Sequence, residues 1–434
     1  MNQRELKRLD GELHAYLEKM LGGLGNKARR ASAEHYVLGL LLDGDRKSIQ
    51  PMASRLVDDD REIEAMRQRL QECIVISQWS NEEVRERLAK TLDRELPGIE
   101  AFVIDDTGFP KKGEHSVGVA RQYSGTLGRV DNCQVATSLH LAGEQGSGCI
   151  GLRLYLSEEW CTDSLRRQKA GVPDSIEFQE KWRIALSLID NARQAGVRDH
   201  VTLADAGYGD CSEFRSGLDE RKLPYVVGIS GVTVVWPPDS KPDVPKKPKG
   251  PGRPVTRYRD DEHPPIAIAE LATTLTYRKV SWREGSKGWQ SSRFATARIR
   301  TAHRHQNGEA PGAEQWLLCQ WFYGEETPAK FWLSSLPKDT SVRSLVRLAK
   351  LRWRIERDYQ ELKQEIGLDH FEGRTWRGFH HHATLCSVAH AFLALRRALF
   401  PPEPHEMDAA DGPPTSSAAS PSLDRHLSAL SSAP

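Results

Sequence analysis

Lys350-Leu351-Arg352-Trp353-Arg354-Ile355-Glu356-Arg357-Asp358-Tyr359-Gln360-Glu361-Leu362-Lys363 is the stretch on which the reading of this chain turns. Taken as one continuous helix, it carries Arg352, Glu356 and Lys363 at i, i+4 and i+11. At about 100° per residue these three side chains fall on one stripe. Leu345, Leu348, Ile355, Leu362 and Ile366 form an apolar stripe beside it. Glu356 is then expected at the edge of the core, half desolvated, with one cation a turn before it and another two turns after. Such a place suits a carboxylate that holds a divalent metal while the cations grip phosphates. An amphipathic surface helix laced with ion pairs has the same pattern, so this segment alone leaves both readings open.

Two upstream segments narrow the choice. Residues 101–108 (AFVIDDTG) are an apolar strand ending in two carboxylates and a turn, and Asp105 holds the strand-end position. Residues 200–209 (HVTLADAGYG) are a second short strand ending in Asp205, followed by small residues. An Asp on a first strand, an Asp after a later strand and a Glu on a late helix supply the all-oxygen ligand set that Mg²⁺, or Mn²⁺, prefers.

At these residues the chain resembles the DDE transposases of bacterial insertion sequences. The likeness is to the cut-and-paste branch with a β-rich insertion before the catalytic Glu, in the group named for insertion sequence seven-oh-one. It is carried by residues 36–53 (YVLGLLLDGDRKSIQPMA), 104–123 (IDDTGFPKKGEHSVGVARQY), 203–209 and 352–382, and runs from about residue 30 to about residue 398. The resemblance implies an RNase H-like core in which Asp105, Asp205 and Glu356 are the catalytic metal ligands. Arg352 and Lys363 are then phosphate contacts. It implies a DNA transposase that cleaves insertion-sequence ends and joins them to target DNA by two-metal phosphoryl transfer. Its partners are double-stranded DNA and a second copy of itself, pairing as a dimer on DNA. The family's Asp, variable residue, Thr motif is matched by Asp105-Asp106-Thr107 and favours Asp105 over Asp106 as the ligand. The branch has a Tyr, Arg, Glu, Lys signature, and Ala349 stands at its Tyr position. This departure bears on the Tyr's phosphate contact and not on the metal ligands. A transposase-derived DNA-binding protein that no longer cuts, and a metal-dependent nuclease that cuts without joining, are the rival readings.

The bulk properties agree with a multidomain DNA-binding protein. A chain of 434 residues is long enough for two or three domains. Its 61 Lys and Arg against 60 Asp and Glu leave a net charge of only +1, but the charge is segregated. Residues 241–259 hold seven basic residues and one acidic, and residues 278–304 hold eight and one, while acids gather over residues 58–100. The seven cysteines are scattered with no Cys-x-x-Cys pair, which argues against a zinc ribbon and a disulfide framework and suits a reducing cytosol. The N-terminus has no apolar signal core and no stretch approaches the ~18 apolar residues of a membrane span, so a cytoplasmic, nucleoid-associated protein without membrane contact is expected. No phosphate-binding P-loop is present, in keeping with a transfer that needs no nucleotide.

The expected fold class is α/β, an RNase H-like mixed sheet flanked by helices, with an all-α N-terminal domain and a β-rich insertion. Residues 1–95 are read as the helical DNA-binding domain and 96–231 as the first part of the catalytic core. Residues 232–335 are the insertion, 336–400 the last helices of the core, and 401–434 a Pro- and Ser-rich disordered tail. Lys246, Lys247 and Arg253 lie in a basic Pro/Lys/Gly-rich loop that either follows DNA or is a solvated linker. Trp282, Arg283 and Trp289 are candidates for stacking on unpaired bases, with ordinary core packing as the alternative for the tryptophans. Arg46 and Lys47, just before a helix start at Ser48, face DNA or simply occupy an exposed loop. His380, His381 and His382 are consecutive on a helix and cannot all reach one ion, so phosphate contact or capping is expected of them instead.

Overall fold

In the computed structural model, residues 3–243, 258–302 and 310–399 are described. Lys246, Lys247, Arg253 and the 401–434 tail lie outside the described residues. The chain divides into two units, one made of Met1–Ile99, Asp106–Arg198 and Arg354–Pro434, the other of Glu100–Asp105 and Asp199–Trp353.

The first unit opens with helices α1 (Gln3–Leu21), α2 (Lys27–Leu41), α3 (Ile49–Arg55), α4 (Ile63–Gln71) and α5 (Asn81–Glu95). Local chemistry sets their ends. The Asn26 side chain accepts from Arg29 N ahead of α2, and Ser80 accepts from Glu83 N ahead of α5, whose first turn carries Glu82 and Glu83. Leu13, Leu17 and Met20 of α1 and Tyr36, Val37 and Leu40 of α2 are buried at helical spacing. Strand β1 (Ile99–Pro110) follows, with only its second half in this unit, then β2 (Ala120–Ser124), β3 (Arg129–Gly143) and β4 (Ser147–Leu154). β2, β3 and β4 pair antiparallel, and the β3–β4 register shifts between Leu139 and His140. Strand β2 was not expected from the sequence. Tyr123 and Val130 face each other across the β2–β3 pair, both exposed, so the hydrophobic alternation of a half-buried strand is absent. Helices α6 (Glu158–Thr162), α7 (Ser164–Ala170) and α8 (Lys181–Gln194) complete this stretch. α8 begins only at Lys181, because residues 176–180 run without regular structure after the turn at Pro173.

In the second unit the first half of β1 pairs in parallel with β5 (Val201–Ala204). Then come α9 (Ala206–Gly209), α10 (Ser212–Glu220) and β6 (Tyr225–Ile229), which is parallel to β5 and wholly buried, as the apolar run Tyr225-Val226-Val227 requires. Gly209 is forced by the fold, since a Cβ there would lie 1.7 Å from the carbonyl oxygen of Gly228. β7 (Val234–Trp236), β8 (Ile266–Ala267), α11 (Ile268–Thr274), β9 (Arg278–Arg283), β10 (Trp289–Thr301), β11 (Gln315–Trp321) and β12 (Lys330–Ser334) follow. They extend the sheet antiparallel from β6 in the order β12, β11, β10, β7, β8, with β9 also on β10. The unit is thus a large mixed sheet. It closes with α12 (Val342–Leu351), which packs against β6 and β9.

The decisive stretch is not one α-helix. α12 stops at Arg352, α13 (Trp353–Gln360) restarts, and a π turn spans Glu361–Glu365, where Ile366 N donates to Glu361 O at 3.0 Å. The continuous α-helix that a shared stripe of Arg352, Glu356 and Lys363 requires is therefore interrupted at Arg352 and again at Glu361. The apolar stripe holds, with Leu345, Leu348, Ile355, Leu362 and Ile366 all buried. Glu356 is exposed rather than half desolvated. The chain ends its described part in the buried helix α14 (Trp376–Leu399). Among the described residues no helix is long and apolar enough to cross a membrane.

Candidate active site

Strand register puts two of the expected carboxylates together. Ala101, Phe102 and Val103 of β1 pair with Val201, Thr202 and Leu203 of β5, and the same offset continued brings Asp105 level with Asp205. Neighbouring strands lie about 4.8 Å apart, so this offset sets the two aspartates side by side, Asp205 just after the end of β5 and Asp105 within β1, which runs on to Pro110 where the sequence suggested a turn. The apolar residues before them are buried, and on β1 burial resumes at Thr107 and Phe109, so Asp105 and Asp106 are a half-buried polar interruption of the strand. The Asp205 side chain also accepts from Tyr208 N at 3.3 Å, which ties it to the turn that follows.

A cation is already set against this pair. Arg352 Nη1 donates to Asp105 Oδ2 at 2.6 Å, with the Asp105 side chain only 17% exposed. Ahead of it on α12, Arg347 is bonded to Glu100, at the start of the same strand. Helix α12 is thereby fastened to β1 at two points. Asp106 points to the other face of the strand, as the two-residue period demands. There it takes Lys181 Nζ at 2.8 Å and Thr137 Oγ1 at 3.0 Å, in an ion pair of its own with α8.

Glu356 and Lys363 belong to the first unit. Glu356 lies in the first turn of α13. Lys363 donates from Nζ to Gly108 O at 2.8 Å, and its ammonium sits 5.2 Å from the Phe109 ring. Burial pushes it down to about 8 against the opposing pull of Asp369. The expected phosphate contact is thus turned inward onto the second half of β1. Among the described residues no group of three or more His, Cys, Asp or Glu has a metal-holding arrangement. The paired aspartates nevertheless fit a hard divalent cation, because they offer only oxygen donors and Asp105 already accepts a positive charge.

Comparison with known proteins adds an independent observation. The family model for DDE superfamily endonucleases matches residues 19–289, more than half of the chain and including both aspartates. The chain belongs to the DDE superfamily endonucleases. A probable transposase for insertion sequence element IS701 from Microchaete diplosiphon is 31% identical over 194 residues, covering 44% of this chain and 47% of the relative. The chain therefore spans about half the length of the curated relative it matches. A solved piggyBac transposase synaptic complex with hairpin DNA aligns with a TM-score of 0.35 at 11% identity, covering 87% of this chain and 74% of that one.

The other expected contact residues of this DDE endonuclease sort by burial. Trp282 is packed inside the second unit, edge-on to Phe294 with ring centroids 5.7 Å apart and Nε1 on Glu284 Oε2 at 3.2 Å. It is not a free stacking platform. Its hairpin neighbour Trp289 is 75% exposed and pairs across the β9–β10 ladder with exposed Arg283. Arg46 is exposed and paired with Glu372 at 2.5 Å, whereas Lys47 is buried and bonded to Leu42 O.

The histidine triplet neither contacts phosphate nor caps a helix, because all three rings are buried. His380 Nδ1 meets Trp376 O at 2.8 Å, and its Nε2 accepts from Leu154 N at 3.3 Å. His381 stacks on Trp79 at 3.7 Å between the carbonyls of Ile74 and Trp79. His382 bonds Tyr36 Oη at 2.8 Å and the carbonyls of Gly367 and Leu368 at 3.2 Å. Burial lowers all three pKa values; His380 ties α14 to β4, and His381 and His382 tie it to the N-terminal helical region.

One feature of α13 escaped the sequence reading. Asp358 is buried and takes His140 Nδ1 at 2.7 Å and Ser147 Oγ at 2.6 Å. One turn later buried Glu361 takes Arg357 Nε at 2.8 Å, His390 Nε2 at 3.2 Å and Arg397 Nη1 at 2.5 Å. The signal was present: Ile355, Asp358 and Glu361 recur every third residue on the face that Leu362 also buries. What no spacing announced was the partners, which come from β3, β4 and α14.

Proposed function

We propose that this chain is a Mg²⁺- or Mn²⁺-dependent transposase with an RNase H-like core that cleaves insertion-sequence ends and joins them to target DNA. The observation that supports this is the parallel β1–β5 register, whose offset continued by two residues brings Asp105 level with Asp205, with Arg352 drawn onto Asp105. Asp105, Asp205 and Glu356 would hold the metal, which when bound activates the attacking oxygen and stabilises the leaving one. Arg352, a guanidinium beside Asp105, would hold a neighbouring phosphate and offset charge developing on phosphorus. Lys363 fixes the strand that continues from Asp105 through Gly108. Strand transfer exchanges one phosphodiester for another, so bond energies balance without a nucleotide.

DNA engagement is assigned to Arg283 and exposed Trp289 on the β9–β10 hairpin and to Lys246, Lys247 and Arg253 of the basic loop. Trp282 supports the hairpin from inside. Deleting residues 246–253 is expected to weaken binding to a duplex and to lower the slope of log affinity against log salt by about 0.9 for each phosphate that is no longer neutralised. A slope equal to that of the intact chain reassigns the loop to a linker. Two ends must be cut and joined together, so the protein is expected to pair as a dimer on end DNA, acting in the nucleoid.

The direct test incubates the purified chain with an end-bearing duplex and a target plasmid in Mg²⁺. Both nicked ends and plasmid-joined ends are expected. Nicked ends without joined product would leave a nuclease, and neither product, with binding intact, would leave a DNA-binding descendant of the family.

A further inference from the structure

Helix α12 ends with a lysine enclosed by aromatic rings. Lys350 Nζ lies 4.9 Å from the Trp332 ring centroid, 5.0 Å from Trp282, 5.6 Å from Phe294 and 5.9 Å from Phe322. It also donates to Oε1 of fully buried Gln320. The rings come from β12, β9, β10 and the residue after β11, so four successive pieces of the second unit converge on one ammonium. Burial pushes Lys350 down to about 8, reinforced by Lys330 and opposed by Glu284.

A leucine or methionine would fill this space without the cost of desolvating a charge. What the ammonium adds is a position. It must meet ring faces and the Gln320 oxygen at once, whereas an apolar side chain slides among rings with little preference. Two residues further on, Arg352 meets Asp105, and three residues before, Arg347 meets Glu100. Three cations on one helix thus each have a fixed seat, two on β1 and one in the aromatic box.

We infer that Lys350 is a positioning residue for DNA cleavage: its boxed ammonium fixes the end of α12 and so sets where the Arg352 guanidinium meets Asp105. This rests on the reading of Asp105 as a metal ligand. Enclosed by the rings and Gln320, Lys350 would act through Arg352 rather than on DNA directly. Its removal therefore affects the rate of the chemical step and leaves DNA affinity in place.

The test compares K350M, K350R and D105A in the full chain, measuring single-turnover nicking, DNA affinity and thermal unfolding. K350M keeps the length and apolar character of the side chain without its charge. Its nicking rate is expected to fall about 10- to 100-fold, the cost of a misplacement near 1 Å, with DNA affinity within about twofold. K350R keeps a cation that stacks well on Trp, and is expected to recover the rate to within about threefold. K350M at the wild-type rate beside an inactive D105A overturns the positioning role and leaves the active-site reading standing. So do K350M and K350R slowed equally, or slowed only in step with weakened DNA binding. A D105A that still cleaves overturns the active-site reading instead. Should K350M lose cooperative unfolding, Q320L replaces it, and a folded Q320L at the wild-type rate overturns the inference.

Discussion

Replacing Asp105, Asp205 or Glu356 by Ala is expected to lower nicking of an end-bearing duplex in Mg²⁺ by about 1000-fold or more, with binding of the same duplex largely kept. The reason is that each would act on the metal rather than read the DNA. Asp105 within β1 and Asp205 just after β5 are held by adjacent parallel strands, so neither can take over for the other from its fixed backbone position. Asp106→Asn is the internal contrast. It loses an ion pair with Lys181 on the opposite face of the strand and should keep the rate within about threefold. A gel-shift run beside the nicking assay separates loss of chemistry from loss of binding. Full nicking by any one Ala variant removes that residue from the site, and an inactive, folded D106N would exchange the roles of the two neighbouring aspartates.

Asp358→Ala is expected to destabilise the fold by about 3–5 kcal/mol, because it leaves the fully buried His140 ring without its carboxylate partner. The measurement is the midpoint of urea unfolding. His140 gives the effect a pH signature. Burial opposes its charge, but Cys149 and Asp358 beside it outweigh burial and raise its pKa to about 10. A raised histidine contributes stability that is complete below its ordinary value near 6.5 and is lost as pH rises through about 10. Stability should therefore decline between these pH values in the wild type. His140→Gln should flatten that decline. An Asp358→Ala midpoint equal to the wild type would show that the pair contributes nothing net.

The histidines illustrate why so little of this chemistry can be read along the chain. Three adjacent imidazoles at positions 380–382 resemble a ligand or phosphate site in the sequence. Their roles are set by Trp79, Ile74, Leu154, Tyr36 and Gly367, residues drawn from distant parts of the chain. Trp282 and Trp289 make the same point from one hairpin. The two have the same residue type seven positions apart, yet one packs on Phe294 and the other stands in water.

Local pattern along the chain was enough for the buried runs before Asp105 and Asp205 and for the buried stripe, but not for β2. The buried runs before Asp105 and Asp205 are legible because a carboxylate interrupts a hydrophobic run, but β1 passes through Asp105 and Asp106 to Pro110 where a turn was expected. The apolar stripe from Leu345 to Ile366 is legible because burial repeats with helical rotation. The family likeness followed from those same residues and was met by the match over residues 19–289. Partners far along the chain governed the rest, and they exist only once it is folded. Folding broke the helix at Arg352, where the guanidinium turns to Asp105, 247 residues earlier in sequence. It turned Lys363 inward to Gly108 and enclosed Lys350 in aromatic rings. A charged side chain has a strong intrinsic preference for water, and only the folded neighbours of these three cations can show where that preference was overridden.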